Sequence, residues 1–336
     1  MKRIALNGFG RIGKNFLRTY LQDVRAQQAF TIAAINIGPA DIQAVPYMIQ
    51  YDSLLEAYTK PVIIKDNFLL IEDFKIQILQ ETGAKNLPWA ELKIDIVVDA
   101  TGHYTHAADA QQHIAQGARK VVITAPAHGE DITVIMGVNH QDYDAAKHHI
   151  ISLGSCTTNA LVPLIHVVKT HTPIAQMIAG TVHAYTNTQA LLDVNPHAKD
   201  LRRSRAAATN IVPSSTGAAT SVAAVFPEYK DILAASALRV PVPVVSLADV
   251  TFLLQEEVTA DTIHGWFQQV AQAGLKNILA VSHEPLVSSD FQGNSHSVIF
   301  DQTLTLVSGN LVKLYGWYDN EWAYSNRIKD FLIMAS

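Results

Sequence analysis

Only one cysteine, Cys156, occurs in 336 residues. A single thiol excludes an intramolecular disulfide, so the fold rests on its own packed core, and Cys156 is either a buried apolar group or a reactive nucleophile. Charge is scarce too: Asp, Glu, Lys and Arg make up 16% of the chain, against about 25% in an average globular domain. That scarcity points to surface covered in an oligomer. The net charge of -5 excludes a broad basic face for nucleic acid or an anionic membrane. An anionic partner is therefore expected to be a small molecule met by a local cluster. No apolar run reaches the roughly 18 residues of a membrane span. The opening Met1-Lys2-Arg3 reaches Gly8 before a signal-peptide core can form, so the expected location is the cytoplasm.

The first half alternates strand and helix. A short apolar strand, Arg3 to Leu6, runs into Gly8-x-Gly10-x-x-Gly13, and Ile12, Phe16, Leu17 and Leu21 then recur at helical spacing. Strand, glycine turn and helix in that order suit a dinucleotide pyrophosphate, because the backbone can approach closely and the helix N-terminus presents N–H groups to the anion. Further strands are expected at 30–36, 94–102, 120–126, 132–137 and 148–154, with a crossover helix over 105–118 that ends at Gly117. Such Ile/Val runs suit a parallel sheet covered on both faces. Thr101-Gly102 and Thr124 stand at strand ends, where ligands of this architecture bind. An acid that would hold the ribose hydroxyls is missing: the second strand ends in Asn36-Ile37, which leaves a 2'-phosphate unrepelled.

Cys156 sits where the last of these strands ends and a helix begins, with Leu161, Val162, Leu164, Ile165 and Val168 as its apolar face. A helix N-terminus favours thiolate over thiol. His183, at the end of the strand 177–185, is set apart from the other histidines by Thr186 and Thr188 beside it, and is the expected proton partner. His103, His106 and His113 lack consistent metal-ligand spacing and are expected on a solvated helix face. A basic cluster follows: Lys199, Arg202, Arg203 and Arg205, then Ser214-Ser215-Thr216-Gly217. Guanidinium groups and a hydroxyl-glycine turn suit a small phosphate. Arg239, alone in an apolar strand, needs an anion to face.

The chain resembles the phosphorylating glyceraldehyde-3-phosphate dehydrogenases. The resemblance rests on NGFGRIG (7–13), SCTTN (155–159), TVHAYTN (181–187), DLRRSRAAA (200–208), STGAA (215–219), ALRVPVP (237–243), EPLVSSDF (284–291) and WYDNEWAYSNR (317–327). It implies an α/β fold with a Rossmann-type NAD(P)-binding domain over 1–155. An α+β catalytic domain with a mainly antiparallel sheet would span 156–318, and a C-terminal helix over 319–336 would return to the first domain. The implied reaction oxidises glyceraldehyde 3-phosphate, with inorganic phosphate and NAD or NADP, through a thioester on Cys156, His183 being the base. Thr186 and Arg239 would hold the substrate's phosphate, and Ser155, Thr157, Thr216 and Gly217 the attacking phosphate. Gly8, Gly10, Arg11, Ile12, Gly13, Thr101, Gly102, Thr124 and Asn320 would hold the cofactor. The family also implies a homotetramer, and neither a metal nor nucleic acid is required.

The sequence departs from the family at several points. Ala160 stands where a second cysteine is usual, Leu153-Gly154 replaces Asn-Ala, Thr82 stands where an arginine is frequent near the adenine, and Thr188 and Thr220 replace a common aspartate and lysine. Ile37 in place of the acid leaves NAD and NADP level. Two alternatives stay open: an erythrose-4-phosphate dehydrogenase with water as acyl acceptor, and a non-catalytic NAD(P)- or RNA-binding protein on the same fold.

Overall fold

Residues 1–195 and 200–336 are described by the computed structural model, so Lys199 of the basic cluster lies outside the described residues. The chain forms two units. One comprises 1–134, 140–154 and 325–336; the other comprises 135–139 and 155–324.

The first unit is built on nine strands: β1 (Lys2–Asn7), β2 (Phe30–Asn36), β3 (Val62–Lys65), β4 (Phe68–Ile71), β5 (Phe74–Leu79), β6 (Ile96–Asp99), β7 (Lys120–Ile123), β8 (Ile132–Thr133) and β9 (Ile150–Ser152). Their order is β3-β4-β5-β2-β1-β6-β7-β9-β8. All four residues of β6 and of β7 are buried, the pattern of parallel strands covered on both faces. The sheet is not parallel throughout, because β3, β4 and β5 form an antiparallel meander at one edge. Its first turn is Asp66-Asn67, with φ of 49° and 61°, a conformation that Asp and Asn tolerate better than most residues. The strand expected over 132–137 pairs only at Ile132–Thr133. The first helix, Arg11–Gln22, buries Phe16, Leu17, Tyr20 and Leu21. The crossover helix spans Ala107–Ala115.

Residues 325–336 are held in this unit by Lys2 Nζ, which donates to Ala335 O at 2.8 Å, by Lys329 pairing with Asp23 at 2.8 Å, and by Phe331 packing edge-on against Tyr143.

The second unit has eight strands: β10 (Ile174–Ala184), β11 (Val212–Ser214), β12 (Leu233–Val240), β13 (Ser246–Leu254), β14 (Leu279–Ser282), β15 (Val298–Asp301), β16 (Leu306–Ser308) and β17 (Leu311–Tyr318). Their order is β11-β12-β10-β13-β17-β15-β14, with β16 on β17. Pairing is antiparallel except at β10/β12 and β14/β15. In β13 burial alternates residue by residue, so one face of the sheet meets the core. Against that face lies the helix Cys156–His171. It is buried nearly all round from Thr157 to Ile165, more than the single apolar face expected, and its Ala160 is fully enclosed.

Candidate active site

Cys156 is the first residue of its helix. Ser155 caps that helix: its hydroxyl accepts from Thr158 N at 3.0 Å, and the Thr158 hydroxyl accepts in turn from Ser155 N at 3.2 Å. The Ser155 hydroxyl thus serves the helix that positions the thiol. Thr157 points inward, its hydroxyl 3.0 Å from that of Tyr318.

His183 comes to the thiol from β10, with Nε2 3.5 Å from Cys156 Sγ. In the parallel β10/β12 ladder His183 stands directly opposite Arg239. Arg239 Nη1 lies 2.8 Å from His183 Nδ1 and donates to Ala184 O at 3.0 Å, while Nδ1 is 2.7 Å from the same carbonyl. Two imidazole forms follow. With Nδ1–H donated to Ala184, Nε2 faces the sulfur with its lone pair, as a base requires. With Nδ1 accepting from Arg239, Nε2–H faces the sulfur as a donor. Burial, Arg239 and Arg203 push the His183 pKa down to about 3. Burial pushes the Cys156 thiol up, against the pull of Arg239 and of hydrogen bonds from Thr157.

Arg239 is partly buried, and its Nε has no partner among the described residues. A buried guanidinium N–H with nothing to donate to suits an anion. Between Arg202 and Arg203, it is Arg203 whose charge reaches both His183 and Arg239. Arg203 is steadied by Ser215 O at 3.0 Å and Asp200 at 3.5 Å. Arg202 instead lines a separate opening with Asp200, Leu201, Pro213 and Ser215. The Thr186 hydroxyl is 3.0 Å from that of Thr188. Thr216 Oγ1 accepts from Ala218 N at 3.2 Å, and Gly217 begins the helix Ala218–Val225 with no side-chain cap.

The first unit carries a nucleotide-sized cavity of ≈ 460 Å³ lined by Gly8, Gly10, Ile37, Thr82, Thr101 and Tyr104, among others. Gly8 has φ +98°, and a Cβ there would lie 2.8 Å from Ala100 C; a Cβ on Gly13 would lie 2.3 Å from Gly8 O. A Cβ on Gly10 would meet nothing within 4 Å, so the turn is open on the side where a pyrophosphate would approach. Gly10 caps Arg11–Gln22 without a side chain, which suits an anion at that helix end. These features fit a nicotinamide dinucleotide. The Arg11 side chain is paired with Asp52, so what it offers a cofactor is its backbone. Ile12 follows it on the helix, partly buried. The Thr101 hydroxyl donates to Asp99 at 2.7 Å and Thr124 to Asp99 O at 2.9 Å; Gly102 is exposed with φ +73°. Ile37 is itself buried.

Several supporting residues had no signal in the sequence. Under the glycine turn Asn36 donates to Asn7 at 2.7 Å and Asn7 to Asp99 at 2.6 Å. His113 Nε2 lies 3.4 Å from Asp99, and Trp89 donates its indole N–H to His113 Nδ1 at 3.0 Å. His113 is therefore fully buried and not on a solvated helix face, because its ring completes this polar chain; His103 and His106 are exposed. In the second unit, the Tyr318 ring packs edge-on against His183 at 5.9 Å, Ser246 Oγ accepts from Ala184 N at 3.1 Å, and Asn320 receives a hydrogen bond from Ser246 at 3.1 Å.

Two family models match: "Glyceraldehyde 3-phosphate dehydrogenase, NAD binding domain" over residues 2–107, and its C-terminal domain over residues 155–320. The chain is 44% identical to a glyceraldehyde-3-phosphate dehydrogenase of Streptomyces coelicolor over 335 residues, covering 99% of this chain and 98% of the relative. It is also 44% identical to glyceraldehyde-3-phosphate dehydrogenase 1 of Bacillus subtilis (98% and 96% covered) and 43% identical to the Geobacillus stearothermophilus protein (98% and 96%). Similarity of this degree, end to end and across both units, means that the chain belongs to the glyceraldehyde-3-phosphate dehydrogenase family.

Proposed function

We propose that the protein oxidises glyceraldehyde 3-phosphate to 1,3-bisphosphoglycerate with inorganic phosphate, reversibly, using NAD or NADP. The observation that carries this reading is the approach of Cys156 Sγ to His183 Nε2 at 3.5 Å, at a capped helix start beside Arg239. The Cys156 thiol gives its proton to His183, and the thiolate adds to the aldehyde carbon. His183 Nε2–H then donates to the developing alkoxide and, once neutral, takes the hydroxyl proton as the carbon is oxidised. Bound cofactor supplies the hydride acceptor. A thioester is left on Cys156; phosphate oxygen attacks its carbonyl, and the sulfur departs as thiolate.

Arg239 and Thr186 would hold the substrate's phosphate, with Arg203 adding charge from its side. Thr216 and the uncapped helix start at Gly217 would receive the attacking phosphate together with Ser155 and Thr157, the last two through the backbone because their hydroxyls are engaged. The glycine turn, Arg11 and Ile12 would hold the pyrophosphate. Thr101, Gly102 and Thr124 would flank the cofactor at the strand ends, and Asn320 would hold the nicotinamide carboxamide. With no acid at Ile37, both cofactors remain admissible. The functional division of the chain is then 1–155 for cofactor, 156–318 for catalysis and 319–336 as the returning helix, in a cytoplasmic homotetramer.

The test is the initial rate of reduced-cofactor formation from glyceraldehyde 3-phosphate, with NAD and NADP in parallel and phosphate present or omitted. Turnover that needs phosphate and is lost in Cys156→Ser is expected. Rate indifferent to phosphate, with faster oxidation of erythrose 4-phosphate, would replace this reading by the hydrolytic one. Full biological activity in Cys156→Ser would replace it by a binding role.

A further inference from the structure

We infer that Glu81 supplies, from the neighbouring strand end, the acid that is missing at Ile37, and that it selects a dinucleotide with a free 2'-hydroxyl, NAD, against one with a 2'-phosphate, NADP. This rests on the reading of the first unit's cavity as the cofactor site and narrows it.

β5 lies beside β2 in parallel, with Leu79 opposite Asn36. Beyond the strands the two chains stay joined: Ile37 N donates to Leu79 O at 2.9 Å, and Gln80 Nε2 donates to Ala40 O at 2.8 Å. The Asn36 amide completes the join. Its Oδ1 accepts from Glu81 N at 2.9 Å and from Gly38 N at 3.4 Å, and its Nδ2 donates to Glu81 O at 2.9 Å and to Asn7 Oδ1 at 2.7 Å. A backbone N–H can only donate and a backbone carbonyl only accept, so the amide has one orientation and every position on it is used. Asn36 therefore has nothing left for a ribose. It clamps both backbone groups of Glu81 beside Ile37.

Glu81 lines the cavity together with Asn36, Ile37 and Gly38. It is partly exposed, and its carboxylate makes no hydrogen bond or ion pair among the described residues. Of the described residues that line the cavity, Glu81 is the one acid and His103 the one basic side chain; neither lysine nor arginine is among them. Arg11, at the helix start after the glycine turn, is spent on Asp52. A carboxylate only accepts, which suits a ribose hydroxyl. A 2'-phosphate brings like charge to a lining with no lysine or arginine to offset it, and is repelled. The strand that ends in Ile37 permits either cofactor; the strand next to it does not.

The test is calorimetric titration of the cofactor-free protein with NAD and with NADP at about pH 8, where an ordinary imidazole is uncharged. Wild type, Glu81→Gln and Glu81→Asp are compared. Wild type is expected to bind NAD at least about tenfold more tightly than NADP. Glu81→Gln keeps the size and removes the charge, so NADP should bind roughly tenfold more tightly while NAD changes by less than about threefold. Glu81→Asp keeps the charge and should keep the gap. In wild type, added salt should strengthen NADP relative to NAD by screening the repulsion, a readout that needs no variant. The opposite salt dependence overturns the inference, as does equal affinity of wild type for the two cofactors. So does a ratio that Glu81→Gln leaves unchanged, whether through no effect or through equal losses from a merely structural role. In each of these cases a dinucleotide still binds, and the reading of the cavity stands. Binding of neither dinucleotide overturns that reading and the inference with it.

Discussion

At the scale of single residues, the arginine beside the imidazole acts on both reacting groups. The positive charge of Arg239 draws the Cys156 thiol towards thiolate and also disfavours a proton on His183. Burial opposes the first effect and reinforces the second, so the anion-free site holds a neutral imidazole and a thiol whose pKa is raised. Alkylation of Cys156 by iodoacetamide should therefore rise with pH on the alkaline side. Arg239→Ala removes a charge that favours thiolate, so its midpoint should move to higher pH; a midpoint moving lower would contradict this electrostatic account. The sequence marked Cys156, His183 and Arg239 by their neighbours. It did not reveal that Ser155 and Thr157 spend their hydroxyls on the helix cap and on Tyr318, because those bonds depend on which rotamer the packed site permits.

At the scale of elements, the glycine turn shows two opposing magnitudes. Alanine for glycine inside a helix ordinarily stabilises by about 1 kcal/mol. At Gly13 the added Cβ would lie 2.3 Å from Gly8 O, a distance real Cβ atoms essentially never show, and the atom that must yield is backbone. Overpacking of this kind costs about 1–3 kcal/mol and falls on the turn itself. Gly13→Ala should accordingly weaken NAD binding by about tenfold, while Cys156 alkylation in the cofactor-free protein stays within error of wild type. Unchanged NAD affinity would show that the turn relaxes freely. Elements with one dominant period were legible: β2 runs over Phe30–Asn36 as read from the sequence. The β3–β5 meander went unread although Asp66-Asn67 was a usable turn signal, since short strands with mixed exposure carry little periodicity.

For the whole molecule, the low charge content has a counterpart in the second unit. Ile178, Leu191, Leu192, Leu201 and Ile211 are all exposed there, and they are the candidates for a contact between copies of the chain. If copies of the chain cover them, sedimentation equilibrium should give a mass four times 36.7 kDa, and Leu192→Asp should lower it. A monomeric mass at micromolar concentration would rule the tetramer out.

The sequence by itself determined what is local or periodic: the strand, turn and helix of the nucleotide site, the thiol at a helix start, the family motifs and their order. Tertiary structure alone decided what lies far apart in the chain. His183 and Arg239 are 56 residues apart yet opposite each other in one ladder. His113 joins Trp89 and Asp99 in the core instead of facing water, and the charge of Arg203 bears on His183 and Arg239. The reason is physical: periodicity reports which face of an element is apolar, whereas hydrogen-bond partners and electric fields depend on strand register and packing, which arise only when the elements meet.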